Sequence, residues 1–232
     1  MDCVVIFYIM YIIIFIIIIR RYKAKAKWFV IEGNIGSGKS SLLARLRIND
    51  NKWEKIPEPV NLWLEIKDDK GKNLLEAFYE NPERYAHLFQ TVVTATRIGV
   101  LLEKQNNKKN IISERSPWTD RIVFGKLCID SGKMNSLEAR SFTCWCDILL
   151  SKFVGKPDGI IYLQTSPEKC MERMKKRGRN EESSVSYEYL EKVHEYHENW
   201  IYKTNIPVLI IDNNYDNNWE NVIKQVKNFI NN

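Results

Sequence analysis

Residues 28–43 read WFVIEGNIGSGKSSLL, and the reading of this stretch decides the fold. Gly33-Asn34-Ile35-Gly36-Ser37-Gly38-Lys39-Ser40 is a full G-x-x-x-x-G-K-[ST] match. The pattern is short, so its flanks carry the weight. Residues 28–31 are an apolar run that reads as a buried strand. Residues 40–46 place Leu42, Leu43 and Leu46 at helical spacing. Strand, glycine loop and helix form the setting in which this motif cradles polyphosphate. The glycines let backbone N–H groups turn inward without Cβ clashes, and the helix N-terminus adds a favourable dipole. Lys39 supplies a positive charge for the β- and γ-phosphates, and Ser40 a hydroxyl for Mg²⁺. A nucleoside triphosphate held by Gly33, Asn34, Ile35, Gly36, Ser37, Gly38, Lys39, Ser40 and Ser41 is the expectation.

The chain has 232 residues, 44% of them hydrophobic, enough for one domain with a sizeable core. Its formal net charge is +6. Half of that excess lies in residues 1–26, where Arg20, Arg21, Lys23 and Lys25 face only Asp2. The remainder is too mildly basic to argue for nucleic-acid binding. Cys3, Cys128, Cys144, Cys146 and Cys170 contain no C-x-x-C pair, and their number is odd, so a reducing compartment without a disulfide framework is expected.

Residues 3–19 are an uncharged, Ile-rich run followed at once by Arg20, Arg21, Lys23, Lys25 and Lys27. Their length just reaches the ~17–25 residues of a membrane-spanning helix. The basic flank would keep the C-terminal side in the cytoplasm. A secretory signal fits poorly, because the charges sit where cleavage should occur, and a mitochondrial presequence would be amphipathic and Arg-rich. Residues 1–26 therefore read as either a membrane anchor or a non-native extension, and 27–232 as the functional domain.

Five short apolar runs read as buried parallel strands: 28–31, 53–56, 110–113, 159–163 and 208–211. Helical periodicity lies between them, so an α/β fold with a central parallel sheet is expected. In such sheets the ligand sits beyond the carboxyl ends of the strands. Chemical residues do follow the runs. After the second comes Pro57-Glu58-Pro59, a carboxylate fixed by two prolines and a candidate general base. Residues 73–79 and 82–103 read as helices carrying Tyr79, Phe89, Gln90, Val93 and Arg97. A glutamine beside an apolar stripe suits a planar hydrogen-bonding ligand such as a nucleobase; core packing with a polar end is the plainer reading. After the third run, Glu114 stands where a magnesium-orienting carboxylate is kept, and Arg115 offers a planar fork for oxyanions. Asp120, Arg121 and Phe124 follow. Residues 166–176 read as a helix with Ser166 as N-cap and Pro167 at its first position. It leads through Arg173 into Arg177-Gly178-Arg179-Asn180-Glu181-Glu182, which suits a mobile lid closing positive charge over ATP. His194 and His197 lie three apart on a helix, but no third ligand with metal spacing accompanies them.

Together these pieces resemble the deoxyribonucleoside kinase family, over about residues 27–212. The carrying motifs are EGNIGSGKS at 32–40, EPVNLW at 58–63, NLLEAFYENPERYAHLFQ at 73–90, ERS at 114–116 and RGRNEES at 177–183. The resemblance implies a P-loop kinase fold, five parallel strands flanked by helices and a short arginine-rich lid. It implies ATP and Mg²⁺, a deoxynucleoside substrate, a homodimer and nucleotide salvage in the cytoplasm. Glu58 would take the proton from the sugar 5′-hydroxyl, and Arg115 would steer that carboxylate and the phosphoryl group, with Lys39 on the phosphates. Ser40 and Glu114 would orient magnesium. Tyr79 and Glu182 would hold the 3′-hydroxyl. Gln90 would bond the base edge, with Trp63, Phe89, Val93 and Phe124 around the ring. Arg173, Arg177 and Arg179 would close over ATP.

Thymidine-preferring members of that family carry an apolar residue where Arg97 stands and lack the acid at Asp120. Arg97 with Asp120 is similar to the deoxycytidine and deoxyguanosine kinases. An acid can accept from an exocyclic amino group, and a flanking Arg would hold it ionised. Pro117 departs from the aliphatic or aromatic residue common after ERS. Two other readings compete: a thymidylate-type nucleotide kinase, which Glu58 disfavours by repelling an acceptor phosphate, and a non-catalytic subunit, which the retained Lys39, Ser40, Glu58, Arg115 and Arg179 disfavour.

Overall fold

The computed structural model describes residues 26–179, 182, 184–215 and 218–231. The apolar run at 3–19 and the basic residues after it up to Lys25 lie outside the described residues, as do Asn180, Glu181 and Ser183 of the expected lid. Among the described residues, no helix is long and apolar enough to cross a membrane.

Five strands form one parallel sheet in the order β2-β3-β1-β4-β5: β1 Trp28–Glu32, β2 Trp53–Ile56, β3 Asn110–Glu114, β4 Gly159–Gln164 and β5 Val208–Asp212. Each apolar run forms the expected strand, and four extend one polar residue further, to Glu32, Glu114, Gln164 and Asp212. The centre of the sheet is covered on both faces. Trp28 and Val30 of β1 pack with Ile111, Ile160 and Tyr162 beneath the helix Pro82–Gln105. Phe29 and Ile31 point the other way, onto Ile112, Ile161, Leu163 and the helices Lys39–Arg45 and Trp219–Asn231. Burial on both faces is why these strands read as continuous apolar runs rather than alternating ones. The edge strand β5 is less covered than expected, with Ile210 exposed, because it has one strand neighbour.

Local chemistry sets the helix starts. Asn73 accepts from Glu76 N (2.9 Å) and Asn81 from Arg84 N (3.1 Å), with Pro82 next, so two helices begin within ten residues of each other. Ser166 caps Pro167–Arg177 as read. Residues 60–65, read only as part of a motif, form a helix that buries Trp63. Pro117 finds its account here. Ser116 caps the helical turn Pro117–Thr119, where a proline at the first position loses no hydrogen bond. The chain then widens into a π-helical turn, Asp120–Phe124, before Gly125–Asp130. Such turns favour functional positions.

Two glycines in these elements sit in opposite environments. A Cβ on Gly125 would lie 2.2 Å from Phe142 Cε1, whereas one on Gly99 would meet nothing within 4 Å. Gly125→Ala is expected to destabilise the fold by about 1–3 kcal/mol through overpacking. Gly99→Ala, inside the helix Pro82–Gln105, is expected to stabilise it by about 0.5–1 kcal/mol. Denaturant unfolding of the two variants should move in opposite directions.

Candidate active site

The carboxyl ends of β1, β2 and β3 open into a cavity of about 440 Å³. One end is the glycine loop. Gly38, with φ 94°, precedes the helix Lys39–Arg45, a backbone conformation that glycine adopts without cost. Ile35, Gly36, Gly38, Lys39, Ser40 and Ser41 line the cavity. Gly33, Asn34 and Ser37 shape the loop from behind. Asn34 Nδ2 donates to Leu190 O (2.8 Å), and a Cβ on Gly33 would strike Ser37 Oγ and Leu163 O. Lys39 Nζ donates to Gly33 O (3.1 Å) and Asn34 O (2.7 Å). Burial, then the Arg115 charge, lower its pKa to about 8. Ser40 Oγ donates to Glu114 Oε1 at 2.8 Å, which sets two oxygen donors side by side next to the loop.

The centre of the cavity is a cluster of buried charges. Arg97 Nη2 and Arg115 Nη1 both donate to Glu58 Oε1 at 2.9 Å. Arg97 also donates through Nε to Asp120 Oδ2 (2.9 Å) and through Nη1 to Glu114 O (3.2 Å). Arg115 donates through Nη2 to Gly33 O (3.3 Å), and its guanidinium lies 4.8 Å from the centre of the Phe124 ring. Burial alone would raise the Glu58 carboxyl, but Arg115, Arg97 and Lys39 together hold it well below the usual carboxylate range. Burial also raises Asp120, against the pull of Arg97, so the ion pair offsets desolvation there rather than simply keeping the acid ionised. Arg115 sits at φ 60°, a left-handed backbone that costs about 1–3 kcal/mol for such a residue. Its N–H donates to Ile31 O (2.9 Å), and its carbonyl accepts from Ser113 Oγ (2.9 Å), which fixes that backbone from both sides.

The far end is apolar with polar tips. Trp63, Leu75, Phe78, Phe89 and Val93 line it, with Phe78 stacked on Phe89 at 4.5 Å and Trp63 edge-on to Phe89 at 6.0 Å. Gln90 Oε1 and Asp120 Oδ1 are buried here without a hydrogen-bond partner among the described residues. Tyr79, Phe124, Glu182 and Tyr189 close one side. Glu182 bonds Arg177 and lies 3.4 Å from Arg179 Nη1. Arg173 donates from Nη2 to Asn213 O (3.0 Å). Every substrate-site residue expected from sequence thus faces one cavity. Sequence reasoning missed the Arg97–Glu58 bond, the lining by Tyr189, and the buried Glu32 at the end of β1. For Glu32 the available signal was an acid written into a strand buried on both faces.

Residues 29–231 match the family described as "Deoxynucleoside kinase". The chain is 35% identical to "Deoxycytidine kinase 2" of Gallus gallus, over 90% of this chain and 92% of that protein. It is 36% identical to "Deoxycytidine kinase" of Homo sapiens, over 89% and 92%. It is 32% identical to "Deoxyguanosine kinase, mitochondrial" of Xenopus laevis, over 84% and 85%. A family match across the whole sheet and identities of this size over nearly full lengths agree with one another: the chain belongs to the deoxynucleoside kinase family.

Proposed function

We propose that the protein transfers the γ-phosphoryl group of ATP to the 5′-hydroxyl of deoxyribonucleosides, with deoxycytidine and purine deoxynucleosides preferred over thymidine. The observation that carries this reading is the clamped Glu58 carboxylate, set between the glycine loop and an apolar cavity with polar tips. A deoxynucleoside with its base among Trp63, Phe89, Val93 and Phe124 directs its sugar toward Glu58. Tyr79 and Glu182 then face the 3′-hydroxyl. Gln90 Oε1 and Asp120 Oδ1 present acceptors that an exocyclic amino group satisfies and a thymine carbonyl does not.

In the reaction the hydroxyl O–H bond breaks, its proton passes to Glu58, a bond forms from that oxygen to the γ-phosphorus, and the bridging P–O bond to ADP breaks. The two guanidiniums make Glu58 a weak base, so proton transfer follows once the new P–O bond has acidified the hydroxyl. Arg115, bound to Glu58 and to the loop carbonyl of Gly33, spans acceptor and donor. Arg173, Arg177 and Arg179 form the lid side of the triphosphate site. Ser40 Oγ and Glu114 Oε1 are hard oxygen donors of the kind Mg²⁺ takes alongside phosphate oxygens and water. Bound there, Mg²⁺ would neutralise charge on the β- and γ-oxygens. A nucleotide kinase is disfavoured, because an acceptor phosphate would meet the Glu58 carboxylate. A second copy of the chain is the proposed cover for exposed Leu137, Ile148 and Phe153. The cytoplasm is the proposed location, and residues 3–19 are the proposed route to any membrane contact.

Assayed with Mg·ATP against the four deoxynucleosides and thymidine monophosphate, the protein should turn over deoxycytidine or a purine deoxynucleoside fastest; faster turnover of the monophosphate would overturn the reading. Glu58→Gln should lower kcat by about 10²–10⁴-fold with nucleoside affinity nearly kept. Arg97→Met with Asp120→Ala should raise the thymidine-to-deoxycytidine ratio of kcat/KM; an unchanged ratio would separate this pair from base choice. Lys39 is charged below its pKa of about 8 and neutral above it. The Kd for Mg·ATP, measured by titration calorimetry, should therefore be flat below that pH and weaken by about tenfold per unit above it.

A further inference from the structure

Glu32 closes β1 immediately before Gly33, is fully buried, and has no part in the steps above. Its Oε1 accepts from Ser116 Oγ (3.1 Å) and from Thr119 Oγ1. Those hydroxyls belong to the turn that follows Arg115, where Ser116 and Thr119 also cap each other. Among the described residues its Oε2 has no hydrogen-bond partner and stands 4.0 Å from His197 Nε2, which has none either. His197 Nδ1 lies 2.7 Å from Val193 O. A carbonyl only accepts, so Nδ1 carries a proton, and the neutral ring turns the Nε2 lone pair toward Glu32. Two lone pairs facing each other in a buried site repel unless a proton stands between them. Burial pushes Glu32 up to about 7, against Thr119, Arg115, Ser116 and Arg97, and burial lowers His197 to about 3. Below about pH 7 the proton therefore rests on the carboxyl.

We propose that Glu32 is a positioning residue for Arg115: a neutral carboxylic acid that pins the Ser116–Thr119 turn to β1 and presents its proton to His197. The inference rests on the kinase reading of Arg115. Its logic is electrostatic as well as steric. The groups facing the pair are Arg115, Ser116 and Thr119 from the strand-end turn, Arg97 from the long helix, Lys39 from the loop helix, Tyr162 from β4, and His194 on the helix of His197. An ionised Glu32 would compete with Glu58 for the Arg115 and Arg97 charges. A neutral one anchors the turn through its hydroxyl bonds and leaves both guanidiniums to Glu58 and the transferring phosphoryl group. The anchored turn adds to the Ile31 and Ser113 bonds that hold the left-handed backbone of Arg115.

The test compares Glu32→Leu with the conservative Glu32→Gln in the full chain. An amide can accept from both hydroxyls through its oxygen and donate to His197 through its nitrogen. Glu32→Leu should lower kcat by about tenfold or more with the deoxynucleoside KM within about threefold, and Glu32→Gln should restore kcat to within about threefold. The folded state keeps a proton that the unfolded chain releases between the ordinary glutamate pKa and about 7. The wild type therefore loses stability as pH rises through that window, and the unfolding midpoint of Glu32→Gln should gain on it between pH ~5 and pH ~8. A Gln variant as impaired as Leu would mean that an ionised carboxylate is required. Full kcat in Glu32→Leu, or a midpoint difference independent of pH, would equally overturn the proposal. If Glu32→Leu does not fold, Ser116→Ala with Thr119→Val removes the same bonds from the other side; it should lower kcat, and unchanged turnover would overturn the proposal. Failure of the kinase reading shows separately, as absence of turnover by the wild type, while the comparison of midpoints is independent of catalysis.

Discussion

Two guanidinium groups, those of Arg97 and Arg115, are almost wholly removed from water at the carboxyl end of the sheet, and the site is built around satisfying them. Taking such charges out of water costs several kcal/mol each unless they are paired and hydrogen-bonded. Arg97 comes from the long helix, Arg115 from the end of β3, Glu58 from the end of β2 and Asp120 from the π-helical turn. Four separate elements therefore have to meet within hydrogen-bond distance. Removing any one member would leave a buried charge short of one of its partners, so the cluster holds the elements in register.

The cavity divides according to what each end must accommodate. At the loop end, backbone N–H groups, Lys39 and the arginines at 173, 177 and 179, on and just past the helix Pro167–Arg177, suit an anionic ligand. At the far end, the stacked Phe78 and Phe89 rings and edge-on Trp63 offer a flat apolar slot. Two buried side-chain acceptors there, Gln90 Oε1 and Asp120 Oδ1, have no hydrogen-bond partner among the described residues. Buried polar groups left unpaired are costly, so a ligand that completes both is selected over one that completes neither.

The sheet was legible because burial on both faces writes each strand as an apolar run, and because proline, serine and asparagine mark the helix starts. The glycine loop and the strand-end residues Glu58, Glu114 and Arg115 were legible for the same reason: topology places whatever follows these parallel strands at the cavity. What escaped the sequence depends on distance in the chain. The bond from Arg97 to Glu58 joins residues 39 apart and follows no periodicity. The widened turn at Asp120–Phe124 leaves no compositional trace, though it carries Asp120 and Phe124 to the cavity. Glu32 looked like part of a loop motif. Its burial and its two hydroxyl partners, more than eighty residues away, exist only in the fold.

In the proposed function, Arg97 would tie substrate choice to turnover. Its Nε serves Asp120, at the base end, while its Nη2 serves Glu58, at the sugar end. A guanidinium is planar and rigid, so the two bonds cannot be adjusted independently. A base that satisfies the free oxygen of Asp120 leaves the other oxygen aligned on Nε, and Arg97 stays in the plane that presents Nη2 to Glu58. A base that repels Asp120 tilts the same plane away from Glu58. Under the proposed reading, discrimination between nucleosides falls on kcat as well as on binding, because the group assigned to the base edge also orients the carboxylate assigned to receive the proton.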